Sequence, residues 1–264
     1  MALAPGMPSW VDLSTSDPEA ATIFYTELFG WTAHVSAEPG AEGYTIFHLD
    51  GRRVAGAGPL LSPDQPTAWS IHIAADNAEA IAERVVRAGG TIAMAPFDVL
   101  GFGRMSVLLD QSGCAFSVWQ GGTISGAEVF DEPGSFGWAE LNTDDIAGSK
   151  KFYGAVFGWK AADEQLGDVP YTTFHLGGTP AAGMIPLDAD VPAQTSPHWM
   201  PYFVVADCDE SAAMAEKLGA TVAGQPAEIP PGRFAGILDP QGAPFVIIAT
   251  IPASGTDEVP PGGI

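Results

Sequence analysis

The chain contains the same pattern twice, and this duplication constrains its fold more than any other feature. Residues of the first copy recur about 128 positions later, in the same order and over nearly the whole length. The repeated segments are Trp10 and Trp138, Phe24-Tyr25 and Phe152-Tyr153, Phe29-Gly30-Trp31 and Phe157-Gly158-Trp159, residues 44–49 and 171–176, and residues 109–113 and 238–242. A duplication of this length predicts two tandem domains of one fold.

The chain of 264 residues, 46% of them hydrophobic, is long enough for two domains, each with its own core. The repeat predicts a first domain at residues 8–120 and a second at residues 137–250. Glycine and serine are frequent in residues 121–136, which favours an interdomain linker. Residues 251–264 are rich in proline and glycine, which predicts a disordered tail.

Composition excludes several classes of partner. Ten basic residues against 32 acidic ones give a net charge of −22, which disfavours nucleic acid and anionic membranes because both are polyanions. No stretch approaches the roughly 18 apolar residues of a membrane span, and the N-terminus lacks a targeting pattern. Cys114 and Cys208 lie in different halves, which favours free thiols in a reducing compartment. We therefore expect a cytoplasmic protein; the sequence leaves its oligomeric state open.

The order strand, helix, then several strands occurs twice within each copy. In the first unit, Asp17 and Pro18 predict a helix start and Gly30 its end. The apolar stripe expected to face the core is Ala20, Ile23, Phe24 and Leu28. A second strand and helix follow at residues 70–75 and 77–88. The sequence therefore predicts an α+β fold of four βαβββ modules, two in each half.

This pattern resembles the vicinal oxygen chelate superfamily, which includes glyoxalases, bleomycin-resistance proteins and extradiol dioxygenases. The resemblance is carried by Asp17-Pro18-Glu19-Ala20-Ala21, Leu28-Phe29-Gly30-Trp31, residues 152–159, and the turns at residues 110–113 and 239–242. It implies two tandem glyoxalase-like domains, each a pair of modules forming a curved mixed sheet around a cavity. The chain is similar to the four-module subgroup whose members are labelled glyoxalase-like or hydroxylase.

The resemblance also implies where metal ligands would lie, on the opening and closing strands of the modules. Those positions are Trp10, Ser70, Ser117, Trp138, Met200 and Val246. None is a histidine or carboxylate, and tryptophan and valine offer no donor to a divalent metal. The sequence therefore predicts no metal site of the family type and no cofactor. The donors that remain for an unorthodox site are Asp12, His48, His72 and His175.

Strand alternation identifies two carboxylates as candidate catalytic residues. In the first strand Val11, Leu13 and Thr15 are expected to face the helix, leaving Trp10, Asp12 and Ser14 toward the cavity. The same reasoning places Glu140 in the second cavity. A carboxylate in a partly dry cavity has a raised pKa and can act as a general base, or it can orient a ligand hydroxyl. The alternative is a structural group bonded to backbone, Arg104 or Arg233.

Aromatic side chains dominate the predicted cavity walls. The predicted ligand-binding residues are Trp10, Ser70, His72, Met105, Phe116 and Trp119 in the first half, and Trp138, Met200, Tyr202, Phe234 and Phe245 in the second. Trp69 and Trp199 are instead expected to face the helices as core residues. Walls of this kind favour a flat aromatic guest, which gains from apolar burial and stacking.

Three functions are compatible with these features. The first is metal-independent binding of a hydrophobic, flat aromatic or polycyclic small molecule of antibiotic type, because aromatic residues replace the expected metal ligands. The resemblance to the bleomycin-resistance branch implies an accessory role in resistance or in antibiotic biosynthesis. The second is an enzyme of secondary metabolism, either a glyoxalase-like lyase or isomerase or a hydroxylase. It would use Asp12 or Glu140 as base, assisted by His72 or Tyr202. The third is an interaction module whose acidic surface binds a basic protein.

Overall fold

A computed structural model describes residues 3–62, 64–187 and 196–250, so the tail predicted to be disordered lies outside the described residues. Within these residues, each half contains eight strands and two helices. The first half comprises β1 (Pro8–Thr15), α1 (Pro18–Phe29), β2 (Thr32–Val35), β3 (Thr45–Leu49), β4 (Arg52–Pro59), β5 (Ala68–Ala74), α2 (Ala78–Arg87), β6 (Thr91–Val99), β7 (Gly103–Leu109) and β8 (Ala115–Gly121). The second half comprises β9 (Phe136–Thr143), α3 (Ile146–Phe157), β10 (Lys160–Leu166), β11 (Val169–Leu176), β12 (Thr179–Pro186), β13 (His198–Val204), α4 (Cys208–Lys217), β14 (Thr221–Ile229), β15 (Gly232–Leu238) and β16 (Pro244–Thr250).

Each half forms one mixed sheet of eight strands. The strand order is β2-β3-β4-β1-β5-β8-β7-β6 in the first sheet and β10-β11-β12-β9-β13-β16-β15-β14 in the second. The opening strands β1 and β5 run antiparallel at the centre, and each has a parallel neighbour, β4 or β8. The two modules of a half therefore pair with each other. The predicted α+β fold of βαβββ modules is confirmed.

Local sequence determines where helix α1 begins and ends. The Asp17 side chain accepts a hydrogen bond from the backbone N–H of Ala20, and Pro18 occupies the first turn, where its missing N–H is tolerated. The helix ends at Gly30, whose φ of 70° lies in the left-handed region that glycine adopts without penalty. Both predicted ends are confirmed.

The buried face of α1 differs from the predicted stripe. Ile23 is 58% exposed, whereas Tyr25 and Phe29 are buried together with Phe24. The physical reason is that α1 lies between the two sheets. Its side chains pack on its own half and also on the second half, where Phe29 lies 5.1 Å from Phe203 between ring centroids. The buried surface of α1 is therefore wider than the predicted stripe, which assumed contact with one sheet only.

The two halves share one core. Buried apolar residues of both halves form a single cluster. On the first sheet Phe116 packs against Tyr153 of α3, with 5.8 Å between ring centroids. The reciprocal contact joins Tyr25 of α1 to Phe245 at 5.7 Å. The prediction of a separate core in each half is therefore wrong, because each half's first helix packs against the other half's sheet.

Two equivalent series of side-chain hydrogen bonds connect the halves. The Trp69 indole donates to the Tyr25 hydroxyl (3.0 Å), which in turn donates to the Asp239 carboxylate (2.9 Å). The second half repeats this with Trp199, Tyr153 and Asp110, at 3.0 and 3.0 Å. All of these groups are buried. The expected core role of both tryptophans is confirmed.

Across the described ranges, the helices are all too short or too polar to traverse a lipid bilayer. Cys114 and Cys208 are both buried free thiols, as predicted. Burial raises the pKa of the Cys208 thiol to about 11, and burial likewise raises the pKa of Cys114. Neither cysteine has the ionised form that a nucleophile requires.

Candidate ligand-binding cavity

The concave face of the first sheet encloses a cavity of about 380 Å³. Strand β1 contributes Trp10, Asp12 and Ser14 to its lining, as strand alternation predicts; Leu13 also borders the cavity, although its side chain belongs to the core. The remaining walls are mainly apolar; those from the later strands and the turn between them are Met94, Phe97, Phe102, Met105 and Trp119. The predicted positions of Trp10, Met105 and Trp119 on the cavity wall therefore agree with the structure.

The charged groups of the cavity are all acidic. Asp12, Glu42 and Asp98 belong to the lining, and within the described residues no lysine, arginine or histidine does. Asp98 is paired with Arg104 at 2.7 Å near the mouth. Because a carboxylate repels an anion in a low-dielectric cleft, this lining favours a neutral or cationic guest over an anionic one.

Asp12 is the centre of a hydrogen-bonded cluster beneath the cavity. Its Oδ1 accepts from the Trp10 indole N–H (2.8 Å) and from the Tyr44 hydroxyl, and its Oδ2 lies 3.0 Å from Nε2 of His72. The neighbouring strand leaves room for this cluster because it has Gly56 opposite Asp12. A Cβ at Gly56 would overlap both the Tyr44 hydroxyl and the Asp12 carboxylate. The indole of Trp10 is thereby held in one orientation.

The pKa of Asp12 is shifted in the direction opposite to the expected one. Burial alone would raise it, but the charge of His72 and the hydrogen bonds from His72, Tyr44 and Trp10 outweigh burial, so the pKa lies below its ordinary value of 3.8. The predicted rise is therefore wrong for Asp12. A carboxylate with a low pKa and both oxygens occupied is a weak general base at neutral pH.

Glu140 occupies the equivalent position in the second half, with a different environment. Its Oε1 accepts from the Tyr202 hydroxyl (2.7 Å), and Tyr171 is its second hydrogen-bond partner. Burial raises the pKa of Glu140 above its ordinary value of 4.5 despite these bonds, as predicted. The side chain is only 5% exposed. Glu140 is therefore a buried carboxylate.

An apolar cluster covers the concave face of the second sheet. Its members are Tyr202, Val246 and Ile248, with Trp138, Met200, Ile229 and Phe234 packed against them. Four of the predicted ligand-binding residues, Trp138, Met200, Tyr202 and Phe234, thus lie together on the predicted face but are packed on one another. The first half has Ser70, His72 and Ser117 where this cluster has Met200, Tyr202 and Val246.

Two predicted ligand-binding residues lie elsewhere. Phe116 and Phe245 are core residues between the sheets, 1% exposed each, and each packs against the first helix of the other half. The reason is strand parity. Trp119 follows Phe116 by three positions on β8, and because successive side chains of a strand alternate, an odd offset puts the two side chains on opposite faces. Trp119 faces the cavity, and Phe116 and Phe245 therefore do not line one.

Ser70 and His72 lie beside the cavity without being part of its lining. On β5, Ser70 is opposite Asp12 and His72 is opposite Trp10. His72 is 2% exposed and contacts the site through Asp12. Its Nδ1 is buried without a hydrogen-bond partner. His72 therefore supports the Asp12 carboxylate from behind.

The arginines predicted as partners of the two carboxylates have other partners. Arg104 pairs with Glu79 (2.6 Å) and Asp98. Arg233 makes the corresponding pairs on the second sheet, with Asp209 (2.8 Å) and Glu228 (3.4 Å). These exposed ion pairs join a helix start to an outer strand. Neither arginine neutralises Asp12 or Glu140.

The donors do not assemble a metal site. Among the described histidine, cysteine and carboxylate side chains, no three lie close enough together to share an ion. His72 and Asp12 are paired with each other. His48 instead packs against His34 at a tilt, with 4.5 Å between ring centroids, and burial and the charge of His34 lower the pKa of His48. A metal with the usual three or four donors does not fit these residues.

Residues that the sequence analysis overlooked complete the site. Tyr44 and Gly56 recur as Tyr171 and Gly183, and Gly183 lies opposite Glu140 just as Gly56 lies opposite Asp12. A Cβ at Gly183 would overlap the Tyr171 hydroxyl and approach the Trp138 indole. The repeat itself indicates these positions, because a glycine present at the same place in both copies of a strand is typical of a close approach by another group.

The opposite pKa shifts predict opposite effects of two matched substitutions. Ionised Asp12 adds stability above its unfolded pKa of about 4, and this is lost as pH falls through its lower folded pKa. Asp12→Asn is therefore expected to lower the free energy of unfolding by about 1.5–3 kcal/mol at pH 7, with a smaller loss near pH 3. For Glu140 the raised folded pKa means that stability is lost as pH rises, so Glu140→Gln is expected to cost nothing at pH 8.

Urea unfolding of both variants between pH 3 and pH 8, each compared with the wild type, measures these effects. Comparing differences at each pH removes the contribution of the many other acidic residues. A loss at pH 7 of the same size in both variants would contradict the assigned environments.

Both halves of the chain match known protein families, and relatives match over nearly its whole length. Residues 8–118 match the family described as the Glyoxalase/Bleomycin resistance protein/Dioxygenase superfamily, and residues 138–248 match a Glyoxalase-like domain. The anthracycline biosynthesis protein DnrV of Streptomyces peucetius is 45% identical over 259 residues, covering 93% of this chain and 94% of DnrV. CFP32 of Mycobacterium tuberculosis, whose name gives glyoxylase activity as a hypothesis, is 38% identical over 253 residues, covering 94% and 96%.

Solved structures are similar at the level of the fold alone. The 2,3-dioxygenase LapB from Pseudomonas sp. KL28 has a TM-score of 0.66 at 13% identity, covering 94% of this chain and 93% of LapB. The Mn(II)-bound glyoxalase from Novosphingobium aromaticivorans has a TM-score of 0.64 at 17% identity, covering 92% and 82%. Membership in a family is established by the two domain matches and by relatives that match over nearly their whole length. The chain belongs to the glyoxalase/bleomycin resistance protein/dioxygenase superfamily and has two tandem glyoxalase-like domains.

Proposed function

We propose that the protein binds a flat aromatic or polycyclic small molecule in the cavity of its first half, without a metal ion. The observation that carries this proposal is the cavity itself, about 380 Å³ in volume and lined mainly by aromatic and aliphatic side chains. Pockets of about 300–1,000 Å³ with apolar walls and few polar groups are typical of small-molecule sites. Trp10 lies at a position where the family resemblance implies a metal ligand.

Apolar burial supplies enough free energy for specific binding. A guest that loses about 200 Å² of apolar surface gains roughly 5 kcal/mol at ~25 cal/mol/Å², and each stacked ring pair adds about 1 kcal/mol. The cavity walls lose a similar apolar area, which about doubles the burial gain, and association costs of at least about 4 kcal/mol then leave an affinity near the micromolar range. The hydrogen bonds from Trp10 to Asp12 and Tyr44 reduce these costs, because the indole is ordered before the guest arrives.

The similarity to DnrV supports a class of ligand. DnrV is named as an anthracycline biosynthesis protein, and it matches this chain over both halves. Anthracyclines contain fused planar rings, which suit walls formed by Trp10, Phe97, Phe102 and Trp119. We therefore propose an anthracycline-related or similarly fused aromatic compound as the guest, bound in an accessory role in biosynthesis or resistance.

Metal chemistry of the kind implied by a Mn(II)-bound relative is not part of this proposal. In the first half, Asp12 and His72 are hydrogen-bonded to each other, and the other expected positions hold Trp10, Ser70 and Ser117. In the second half, tyrosines satisfy Glu140. These donor sets do not fit a divalent ion with three or four ligands.

An enzymatic function is the alternative, and one observation favours it. Glu140 has the raised pKa that a general base requires. However, Glu140 is buried beside the apolar cluster, whose Tyr202 donates to it, and no lysine or arginine in the described part of the chain pairs with it. Unchanged turnover of an identified substrate by Glu140→Gln would exclude this residue as the base.

Titration with a flat aromatic probe tests the proposed binding. We expect 1,4-dihydroxyanthraquinone to quench tryptophan fluorescence with micromolar affinity and to raise the melting temperature. Trp10→Leu is expected to weaken binding by about 10–30-fold, because it removes the ring that stacks on the guest. The matched control is Trp138→Leu in the second half, which we expect to leave the affinity within about twofold. Absence of both signals in the wild-type protein would refute the proposal.

A further inference from the structure

The segment that joins the two halves crosses the first cavity. The first part of this segment, residues 122–127, is called the strap here. At one end the backbone N–H groups of Gly122 and Ile124 both donate to the carbonyl of Phe102, at 2.9 and 3.1 Å. At the other end the N–H of Ala127 donates to the carbonyl of Ser9 on β1 (2.8 Å). The strap therefore runs from the β6–β7 turn to the central strand.

The strap is part of the cavity wall. Ile124 and Gly126 both line the cavity. Gly126 lies so close to the central strand that a Cβ would come 2.5 Å from the Ser9 carbonyl oxygen, and its φ of 130° also requires glycine. The strap is thus packed against the first sheet, whereas a flexible linker would make no such contacts.

The strap also positions an aromatic wall residue. The Trp119 indole N–H donates to the carbonyl of Ile124 (2.8 Å), and Trp119 itself lines the cavity. After the strap, the N–H of Glu128 donates to the carbonyl of Arg53 (2.8 Å), and the Glu128 carboxylate pairs with the Arg53 guanidinium (2.7 Å). The backbone on both sides of Ile124 is therefore fixed to the first half.

We infer that Ile124 is a specificity-determining contact of the ligand, and that the strap sets the length of ring system that the first cavity accepts. This inference rests on the proposed function. Ile124 is a branched apolar side chain held at the edge of the cavity beside an ordered indole. A smaller side chain there extends the cavity, and a larger one fills it.

Two probes of different length test the inference on the full-length protein. The tricyclic probe is 1,4-dihydroxyanthraquinone, and the tetracyclic probe is 6,11-dihydroxy-5,12-naphthacenequinone. Ile124→Ala is expected to raise the ratio of tetracyclic to tricyclic affinity at least about fivefold, since it removes the branched side chain. Ile124→Trp is expected to weaken both probes by at least about tenfold. Melting temperatures report folding, and Ile124→Val provides a conservative variant should either of these fail to fold.

The control variant is Ser125→Ala, which changes an exposed strap residue that does not line the cavity. It is expected to leave both affinities unchanged. If the wild-type protein binds the probes and the Ile124 variants bind them with unaltered ratio and affinity, the role of Ile124 is wrong while the proposed function stands. If the wild-type protein binds neither probe, the proposed function fails and this inference fails with it.

Discussion

Replacing Gly56 with alanine is expected to weaken binding of 1,4-dihydroxyanthraquinone by about 10–100-fold. A Cβ at this position would overlap the Tyr44 hydroxyl and the Asp12 carboxylate. Gly56 is paired with Asp12 in the β1–β4 ladder, so the backbone cannot withdraw without breaking sheet hydrogen bonds. Overpacking of this kind costs about 1–3 kcal/mol. The cost falls on the groups that hold Trp10, and fluorescence titration of the purified variant measures it.

Gly183→Ala provides the matched control for this experiment. It introduces the same overlap in the second half, against the Tyr171 hydroxyl and the Trp138 indole. We expect it to lower the melting temperature about as much as Gly56→Ala while leaving the affinity within about twofold. Equal loss of affinity in both variants would mean that general destabilisation, rather than the first cavity, controls binding.

Asp110→Ala is expected to lower the free energy of unfolding of the whole protein by about 3–5 kcal/mol. The Asp110 carboxylate accepts hydrogen bonds from the backbone N–H groups of Ser112 (2.8 Å) and Cys114 (2.9 Å) and from the Tyr153 hydroxyl (3.0 Å). Each buried donor left without a partner costs about 1–3 kcal/mol, and part of this is recovered by relaxation. Urea denaturation followed by tryptophan fluorescence and circular dichroism measures the change.

The shape of that transition is as informative as its midpoint. Because Tyr153 belongs to the second half and Asp110 to the first, we expect both spectroscopic signals to move together in one transition. Tyr153→Phe, which removes one hydrogen bond, is expected to cost about 1 kcal/mol. The exposed Asp98→Ala is expected to change stability by less than about 0.5 kcal/mol. Two separate transitions, with one left unmoved by Asp110→Ala, would show that the halves fold independently.

Features determined by local sequence were predictable. The helix from Pro18 to Phe29 has its cap, its proline and its terminal glycine in the sequence itself, and the structure confirms its ends. The alternation along β1 placed Trp10 and Asp12 on the cavity face for the same reason, because a strand has a period of two. The repeat supplied the number and order of the modules.

Features that depend on contacts between distant strands were not predictable in the same way. The low pKa of Asp12 arises from His72 and Tyr44, which lie on other strands and whose register only the sheet reveals. The core position of Phe116 could have been predicted, since its odd offset from Trp119 in the sequence already places the two side chains on opposite faces of β8. The shared core follows from the packing of the helices between the sheets, and the strap follows from tertiary contacts of Ile124.

The reciprocal ties between Tyr25 and Asp239 and between Tyr153 and Asp110 also bear on how such a protein can evolve and be engineered. Each copy supplies a helix that completes the interior of the other, so neither copy can be discarded. The concave faces of the sheets take no part in this exchange of helices. One face can change its lining while its copy continues to hold the partner in shape, and the second sheet, with an apolar cluster on its concave face where the first sheet has polar residues, shows such a change. Transplanting the first cavity as a half-length protein would therefore require a new interior surface.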